Sequence, residues 1–310
     1  MRKRILSLLL ALCLLCMCHA ALAEGGASLV DLLSGLNAGQ KNTLLPIDFS
    51  GGDEPDHSAF VDWSYEDPTI RVTCTSGRED ECDWWMADIV ISDASQLRTV
   101  AAYSFLDTNP DNRLDPTEMA RDVKAVLAIN GDWFNYTGIG YIVRQGQTFV
   151  DVLHGDRDVM VIDEDGDMHG FPLAARGSLT GTVNGKKIIN AFFFGPILVQ
   201  DGQVPGYVTG NGMEENSGRQ RMALCQVGPL HYMAICCAGP ARGNYGMTLT
   251  QFARFVQRQG VQFAYNLDGG DSTYLIFNYQ KINSLYNYSA RKLADIIYFA
   301  SAADHLADGQ

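Results

Sequence analysis

The stretch 261–277 reads Val-Gln-Phe-Ala-Tyr-Asn-Leu-Asp-Gly-Gly-Asp-Ser-Thr-Tyr-Leu-Ile-Phe, so a polar segment separates two apolar runs. Short apolar runs bounded by Gly, Asp and Ser are typical of β-strands. We therefore predict strands over 261–266 and 273–277. The polar segment between them has two interpretations. It is either an ordinary hairpin turn, or a binding loop in which paired glycines let a ligand approach the backbone.

The same alternation of apolar runs and turn residues continues along the chain. It predicts further strands at 86–91, 98–105, 125–130, 158–162, 188–194, 222–227, 231–237 and 296–300. Asp115-Pro116 predicts the start of one helix, and the capping box Thr248–Gln251 predicts another that ends at Gly260. Many strands and few helices indicate an α+β fold, namely a β-rich single domain with a mixed or antiparallel sheet and a few packed helices.

Composition excludes several classes of protein. The chain has 310 residues, of which 46% are hydrophobic and 19% are charged, so it has enough apolar residues for a large core and is not disordered throughout. The formal net charge is −13 at pH 7. Binding to nucleic acid or to an anionic membrane surface needs surplus Lys and Arg. We therefore expect neither as a general partner.

The N-terminus predicts export. Three basic residues at 2–4 precede an apolar run over 5–17, and Ala21-Leu22-Ala23 offers a cleavage site. This order indicates a signal peptide over 1–23, cleaved after Ala23, because the run is too short to span a membrane. A lipoprotein anchor at Cys16 or Cys18 is the weaker alternative, since the usual small residues do not precede them. We expect a secreted or extracytoplasmic protein with no integral membrane segment after cleavage.

Three segments complete the predicted organisation. Residues 24–58 are rich in Gly, Ser, Asn and Asp and are expected to form a flexible N-terminal arm. A single domain is expected over 59–302, followed by a C-terminal tail over 303–310. Cys74 and Cys82 flank a polar turn, which predicts a disulfide between them in an oxidising compartment. The other cysteines after the signal peptide lie in apolar runs and are expected to be buried.

A second polar cluster resembles the first. Asn130-Gly131-Asp132-Trp133-Phe134 also follows an apolar run that is predicted to be a strand. Carboxylates and amides bind hydroxyl groups, and aromatic rings stack on the apolar face of a sugar. Two strand ends that carry Asn, Asp and Gly beside aromatic residues therefore favour a carbohydrate ligand.

These clusters belong to a longer set of motifs in a fixed order. The set is Ala-Ile-Asn130-Gly-Asp132-Trp-Phe134, Phe194-Gly195-Pro196, Arg221-Met-Ala-Leu, Gly246-Met-Thr248-Leu249, Asn266-Leu-Asp268-Gly269-Gly270 and Arg291. With these motifs, the chain resembles the phosphodiester glycosidase family over about 85–300. Two positions depart from the family pattern. Asp271 stands where Gly or Ser is usual, and Asp132 replaces a Gly of the lysosomal member.

The resemblance implies an exported hydrolase that cleaves the bond between a sugar anomeric carbon and a phosphodiester oxygen. A carboxylate would activate water or stabilise the developing cation, and arginines would bind the phosphate. The implied catalytic residues are Asp268, Asp132 and Arg221. The implied substrate-binding residues are Asn130, Gly131, Phe134, Arg144, Gly195, Asn266, Gly269, Gly270, Asp271, Ser272, Thr273 and Arg291. The expected partner is a glycosyl phosphodiester or a phosphate-linked glycan.

The alternative is a non-catalytic protein that keeps the same pocket. Such a protein would bind glycans or act in exopolysaccharide or cell-envelope assembly. The intact Asp268 and the full set of arginines favour the enzyme, whereas the additional carboxylate of Asp271 favours the alternative.

The stretch 107–118 has the spacing of a calcium-binding loop. Its candidate ligand positions are Asp107, Asn109, Asp111, Arg113, Asp115 and Glu118. Against calcium, Asn112 stands where such loops have a glycine, and Asp115 already explains the start of a helix. We expect no cofactor to be required for catalysis, and a structural calcium ion is an alternative that this spacing leaves open.

Overall fold

The computed structural model describes residues 43–107, 109, 111–135, 138–208, 217–241, 243–284 and 291–308. The predicted signal peptide over 1–23 and the first part of the predicted arm lie outside these residues. Within the described part, no helix has both the length and the apolar character needed to span a membrane.

The described chain is built mainly of β-strands. In chain order they are β1 (Ser64–Glu66), β2 (Ile70–Glu79), β3 (Cys82–Ile91), β4 (Leu97–Ala101), β5 (Ala125–Asn130), β6 (Gly140–Arg144), β7 (Gln147–Val152), β8 (Val159–Asp163), β9 (Met168–Phe171), β10 (Thr182–Val183), β11 (Lys186–Phe192), β12 (Ile197–Val199), β13 (Arg221–Gly228), β14 (His231–Cys237), β15 (Phe263–Leu267), β16 (Leu275–Phe277), β17 (Gln280–Lys281) and β18 (Asp295–Ala300).

Three α-helices lie in the described part, and local sequence explains where two of them begin. They are α1 (Pro116–Asp122), α2 (Leu249–Gln257) and α3 (Ala303–Asp308). Asp115 caps α1, and Thr248 with Gln251 forms the predicted capping box of α2. Leu249, Phe252 and Val256 form part of the buried face of α2. Both helix predictions are confirmed.

The strands form three sheets, and every pairing between described strands is antiparallel. The seven-stranded sheet has the order β1-β2-β3-β14-β13-β15-β12, and the five-stranded sheet has the order β17-β16-β5-β18-β4. A third sheet has the order β7-β6-β11-β8-β9, with β10 beside β11. Short hairpins connect β2 to β3 and β13 to β14, as antiparallel pairing allows. The β-rich fold is confirmed, and the pairing is antiparallel rather than mixed.

The described part of the predicted arm is packed rather than free. Leu45 is completely buried, and the buried guanidinium of Arg98 donates to the carbonyl oxygens of Pro46 at 2.8 Å and Ser50 at 3.0 Å. A buried guanidinium needs acceptors, and the backbone of 46–50 supplies them. The prediction of a flexible arm therefore does not hold over 43–58, where the chain packs against the rest of the domain.

Residues 303–308, which were predicted to belong to a C-terminal tail, instead form the helix α3. The Asp53 carboxylate accepts hydrogen bonds from the backbone N–H of Asp304 at 2.9 Å and of His305 at 3.0 Å. The first turn of a helix has unpaired N–H groups, and Asp53 pairs two of them. The two ends of the described chain are thus held together.

The predicted disulfide between Cys74 and Cys82 is wrong. In the β2–β3 hairpin Cys74 lies opposite Ala87, whereas Cys82 lies opposite Glu79. Cys82 is therefore five positions along β3 from the partner of Cys74, or roughly 16 Å at the usual rise of a strand. A disulfide needs Cα atoms within about 7 Å. Both thiols are free and buried.

Candidate active site

The two predicted polar clusters lie side by side where strands of two different sheets end. Asn130 ends β5, and its Nδ2 donates to the backbone carbonyl of Asp268 at 2.8 Å. Its Oδ1 accepts from the backbone N–H of Tyr274 at 3.1 Å. The buried Asn130 therefore holds both ends of the loop after β15, and it also lines the smaller of the two cavities described next.

Two neighbouring cavities share Asp268 and Trp133 in their walls. The larger cavity, of about 570 Å³, is also lined by Arg219, Arg221 and Asn266. It has the size of a small-molecule site. The smaller cavity is about 10 Å³, which is close to the space that one water molecule needs.

Asp268 is held in place by its own loop. Its Oδ1 accepts from the backbone N–H of Gly269 at 2.8 Å, and its carboxylate also interacts with the Ser272 hydroxyl. Burial raises the pKa of Asp268, whereas the hydrogen bonds and the positive charges of Arg291 and Arg113 act in the opposite direction. The net effect is a raised pKa, which makes the ionised carboxylate a stronger base than an ordinary aspartate.

Two glycines allow the backbone to pass close to other groups. A Cβ atom on Gly131 would lie 2.2 Å from a carboxylate oxygen of Asp295, and one on Gly269 would lie 2.6 Å from the carbonyl oxygen of Gln220. Any larger residue would push these segments apart. The paired polar clusters therefore need glycine for close packing of the site.

Arg221 is a buried cation in the wall of the larger cavity. Its Nε donates to the carbonyl of Met247 at 2.8 Å and its Nη2 to the carbonyl of Ser217 at 3.1 Å. No carboxylate among the described residues forms an ion pair with it. Burial is the main cause that lowers its pKa, and Arg219 adds repulsion. A buried guanidinium without a carboxylate is suited to bind an anion.

Beneath the site lies a buried cluster of one cation and two carboxylates. Arg144 donates from Nη2 to Asp132 at 2.7 Å and to Asp295 at 3.2 Å. The other oxygen of Asp132 accepts from the backbone N–H of Phe193 at 2.7 Å. Asp132 and Arg144 are therefore paired with each other and do not line the two cavities.

Asp295 is the member of this cluster that reaches the cavities. It lines the smaller cavity together with Asp268. Burial raises the pKa of Asp295 to about 7, with Arg144 opposing the shift and Asp132 reinforcing it. A group with this pKa is partly protonated at neutral pH.

The loop after Asp268 holds several more of the predicted binding residues. Gly270 has a left-handed φ of 60°, and Arg291 donates from Nη1 to the Ser272 hydroxyl at 3.2 Å. Thr273 is fully buried, and its carbonyl accepts from Lys281 Nζ at 2.7 Å. Burial raises the pKa of Asp271, against the positive charges of Arg291 and Lys281. These residues shape the loop and set its charge.

Two other predicted binding residues act through packing. Gly195 accepts at its carbonyl from Asn266 Nδ2 at 2.8 Å, which fixes the Asn266 side chain in the wall of the larger cavity. Phe134 is buried, and its ring packs 5.0 Å from the ring of Phe105. The aromatic residue that lines both cavities is the neighbouring Trp133.

Sequence reasoning missed nine residues of the cavity walls, namely Trp133, Phe194, Arg219, Gln220, Leu267, Lys292, Leu293, Ala294 and Asp295. Trp133 has a φ of 66°, a left-handed conformation that bulky residues rarely adopt and that often marks functional sites. The sequence does not display that strain. Asp295 follows Leu-Ala at the start of a buried strand, and only the pairing of β18 with β5 brings it to the site.

One residue of the predicted calcium loop lies in the wall of a cavity. Arg113 lines the smaller cavity. Asp107 accepts from Asn112 Nδ2 at 2.6 Å, and Asp115 Oδ1 accepts from the Thr117 backbone at 2.8 Å. Within the described residues, no group of three or more His, Cys, Asp or Glu side chains could hold a metal ion. Residues 108 and 110 lie outside that description, and the calcium ion stays a prediction.

The model of the phosphodiester glycosidase family matches residues 123–300, which include β5, β13, β15 and β18. The chain belongs to the phosphodiester glycosidase family. The match covers more than half of the chain and every strand that carries a residue of the two cavity walls. No curated protein sequence matches the chain.

Two solved structures share the fold of this family member. One is the zebrafish N-acetylglucosamine-1-phosphodiester alpha-N-acetylglucosaminidase catalytic domain, auto-inhibited by its pro-peptide. It has 15% sequence identity and a TM-score of 0.60, and the alignment covers 81% of this chain and 87% of that one. The other is a hypothetical protein from Synechocystis, with 15% identity, a TM-score of 0.50, and coverage of 76% and 63%. At these identities the likeness shows the fold alone.

Proposed function

We propose that this protein is an extracytoplasmic hydrolase that cleaves the bond between the anomeric carbon of a sugar and a phosphodiester oxygen. The observation that carries the proposal is the position of Asp268 in a cavity wall that also contains the buried Arg221, which pairs with no carboxylate among the described residues. One group is suited to handle a proton or a developing cation, and the other to hold an anion. Membership of the phosphodiester glycosidase family supports the same reaction.

In the proposed reaction, the phosphodiester lies against Arg221 and Arg219 in the larger cavity. The bond between the anomeric carbon and oxygen breaks, and the phosphate monoester leaves with the electron pair. Its second pKa is about 6, so it departs as a stable anion with little help from an acid. Water adds to the anomeric carbon and gives its proton to Asp268. The raised pKa of Asp268 makes it a better base at neutral pH than an ordinary carboxylate.

Asp295 has a positioning role in this proposal. It faces Asp268 across a cavity that fits about one water molecule. The buried cluster contains two carboxylates, Asp132 and Asp295, but only one positive charge, that of Arg144. Protonation of Asp295 therefore costs little free energy. The protonated form of Asp295 reduces repulsion at Asp268 and keeps the catalytic carboxylate ionised.

The test is hydrolysis of a panel of sugar phosphodiesters and nucleotide sugars in water enriched in ¹⁸O. We expect free sugar and a phosphate monoester, with the label in the sugar hydroxyl and not in the phosphate. Label in the phosphate would mean attack at phosphorus and would contradict the proposal. Binding of these compounds without turnover would instead favour the non-catalytic glycan-binding protein.

A further inference from the structure

Two cysteines from distant parts of the chain meet on one face of the seven-stranded sheet. Cys237 on β14 lies directly opposite Trp84 on β3. Side chains two positions apart on a strand share a face, so Cys82 is the diagonal neighbour of Cys237. Helix α2 covers this face, where the rings of Trp84 and Phe255 lie 5.7 Å apart. Both thiols are completely buried.

The two thiols interact directly, and the interaction makes them unequal. A hydrogen bond with Cys237 is the main cause that lowers the pKa of Cys82. Burial is the main cause that raises the pKa of Cys237, and the contact with Cys82 raises it further. The thiol with the lower pKa is the better nucleophile toward a disulfide. Diagonal neighbours lie about 7–8 Å apart, close to the limit of about 7 Å between the Cα atoms of a disulfide, so the bond needs only a small approach of β3 and β14. The side chains are already in contact.

We propose that Cys82 and Cys237 form a disulfide when the chain folds in the presence of an external disulfide. The Cys82 thiolate attacks one sulfur of that compound and releases its first thiol, which leaves a mixed disulfide on Cys82. The Cys237 thiolate then attacks the Cys82 sulfur and releases the second thiol. Two protein thiols are oxidised, one external disulfide is reduced to two thiols, and the protons of the protein thiols pass to the products.

The cross-link is joined to the wall of the larger cavity. The Cys237 thiol donates to the carbonyl of Arg219 at 3.4 Å, and Cys237 lies opposite Arg221 across the β13–β14 pair. The disulfide would link β3 to the end of β14 that contacts Arg219 and Arg221. Because the sulfurs have no exposed surface in the folded chain, the bond forms once β3 and β14 have paired, which brings Cys237 beside Cys82, but before α2 covers the sheet. The helix then shields the bond from reductants.

The test is to refold the reduced full chain with oxidised and reduced glutathione, alkylate the free thiols under denaturing conditions, and map the peptides by mass. We expect a linked pair of peptides that carry Cys82 and Cys237, with Cys74 and Cys225 alkylated. Alkylation of both Cys82 and Cys237, or a link from Cys82 to a different cysteine, overturns the proposal.

Cys236 provides a matched control because it lies opposite Trp85, on the other face of the strand. Cys236→Ser should keep the link, whereas Cys237→Ser should abolish it. Reductant present throughout refolding should lower the melting temperature of wild type and of Cys236→Ser by about 5–10 °C, and leave that of Cys237→Ser unchanged. If Cys237→Ser does not fold, Cys82→Ala replaces it, and the peptide map of wild type alone still decides.

Discussion

Asn130 donates a hydrogen bond from Nδ2 to the backbone carbonyl of Asp268 at 2.8 Å and thereby joins the ends of two strands from different sheets. Asn130 is buried, with only 1% of its surface exposed. The hydrogen bond explains why two polar clusters that are far apart in the sequence lie side by side in the structure. It also fixes the backbone from which the Asp268 carboxylate projects.

The first prediction concerns Asp268, the proposed catalytic carboxylate. Asp268→Asn keeps the shape of the side chain and removes its charge, so folding should persist while kcat falls about 10²- to 10⁴-fold. Steady-state hydrolysis of a sugar phosphodiester measures this change, and the melting temperature checks the fold. Asp151→Asn, at an exposed position on β7, is the control and should retain full activity. Near-normal turnover of Asp268→Asn would remove Asp268 from the mechanism.

The second prediction concerns the dependence of activity on pH. Only ionised Asp268 accepts a proton, so kcat/KM should rise with pH through a raised pKa that lies above the ordinary value of 3.8. The charge of Arg291 lowers this pKa. Arg291→Gln should therefore move the acid limb of the profile to higher pH by about 0.5–1 unit, while Arg291→Lys should keep it in place. An unmoved acid limb in Arg291→Gln would contradict the assignment to Asp268.

The third prediction uses the raised pKa of Asp295, which is about 7 in the folded protein. A carboxyl group whose pKa rises on folding stabilises the fold below its unfolded pKa and loses that contribution as pH increases through its folded pKa. Between pH 5 and pH 8 the stability of wild type should therefore fall relative to that of Asp295→Asn, by about 1–3 kcal/mol. Urea unfolding of both proteins at pH 5 and pH 8 measures their free energies of unfolding. If the difference between the two proteins is the same at both pH values, Asp295 is not protonated in the folded protein.

The fourth prediction concerns the phosphate. Arg221→Lys keeps the positive charge but loses the planar fork that binds two oxygens at once. The KM for a sugar phosphodiester should rise about 10-fold or more, with a smaller effect on kcat. Arg71→Lys, on the exposed face of β2, is the matched control. If both variants bind substrate equally well, the anion lies elsewhere.

The fifth prediction concerns calcium at 107–118. If the loop holds the ion, excess chelator should lower the melting temperature, and added calcium should restore it through mass action on the native state. Asp107→Asn should weaken this response, because it removes a charged candidate ligand. A melting curve that is the same with millimolar calcium and with chelator would leave Asp115 as a helix cap only.

The sequence predicted the strands best where an apolar run is bounded on both sides by polar residues. β5 and β14 begin and end at the predicted residues, and the clusters at 130–134 and 266–273 do form one site. β2 was missed because its last residues, from Thr75 to Glu79, are polar and largely exposed. A strand that lies near the edge of a sheet needs few apolar residues, and its sequence then resembles that of a loop.

Several other features could not be predicted because pairing across the sheets cannot be derived from spacing. Cys74 and Cys82 are near in sequence, but the hairpin register separates them. Spacing also does not show that Asp132 pairs with Arg144 beneath the cavities. The catalytic role of Asp132 stays a prediction. Asp295 carries no motif, and it reaches the site only because β18 pairs with β5.

That pairing has a consequence for how the protein is made. β5 and β18 are the first and the last strands of the family region, and Asn130 lies opposite Ile296. A ribosome releases the N-terminal part first. Until Asp295 emerges, the nascent chain has neither a complete small cavity nor the second carboxylate for Arg144. The smaller cavity is therefore completed only when the last strand of the family region has been made, and a chain that stops before Asp295 would lack one of its walls.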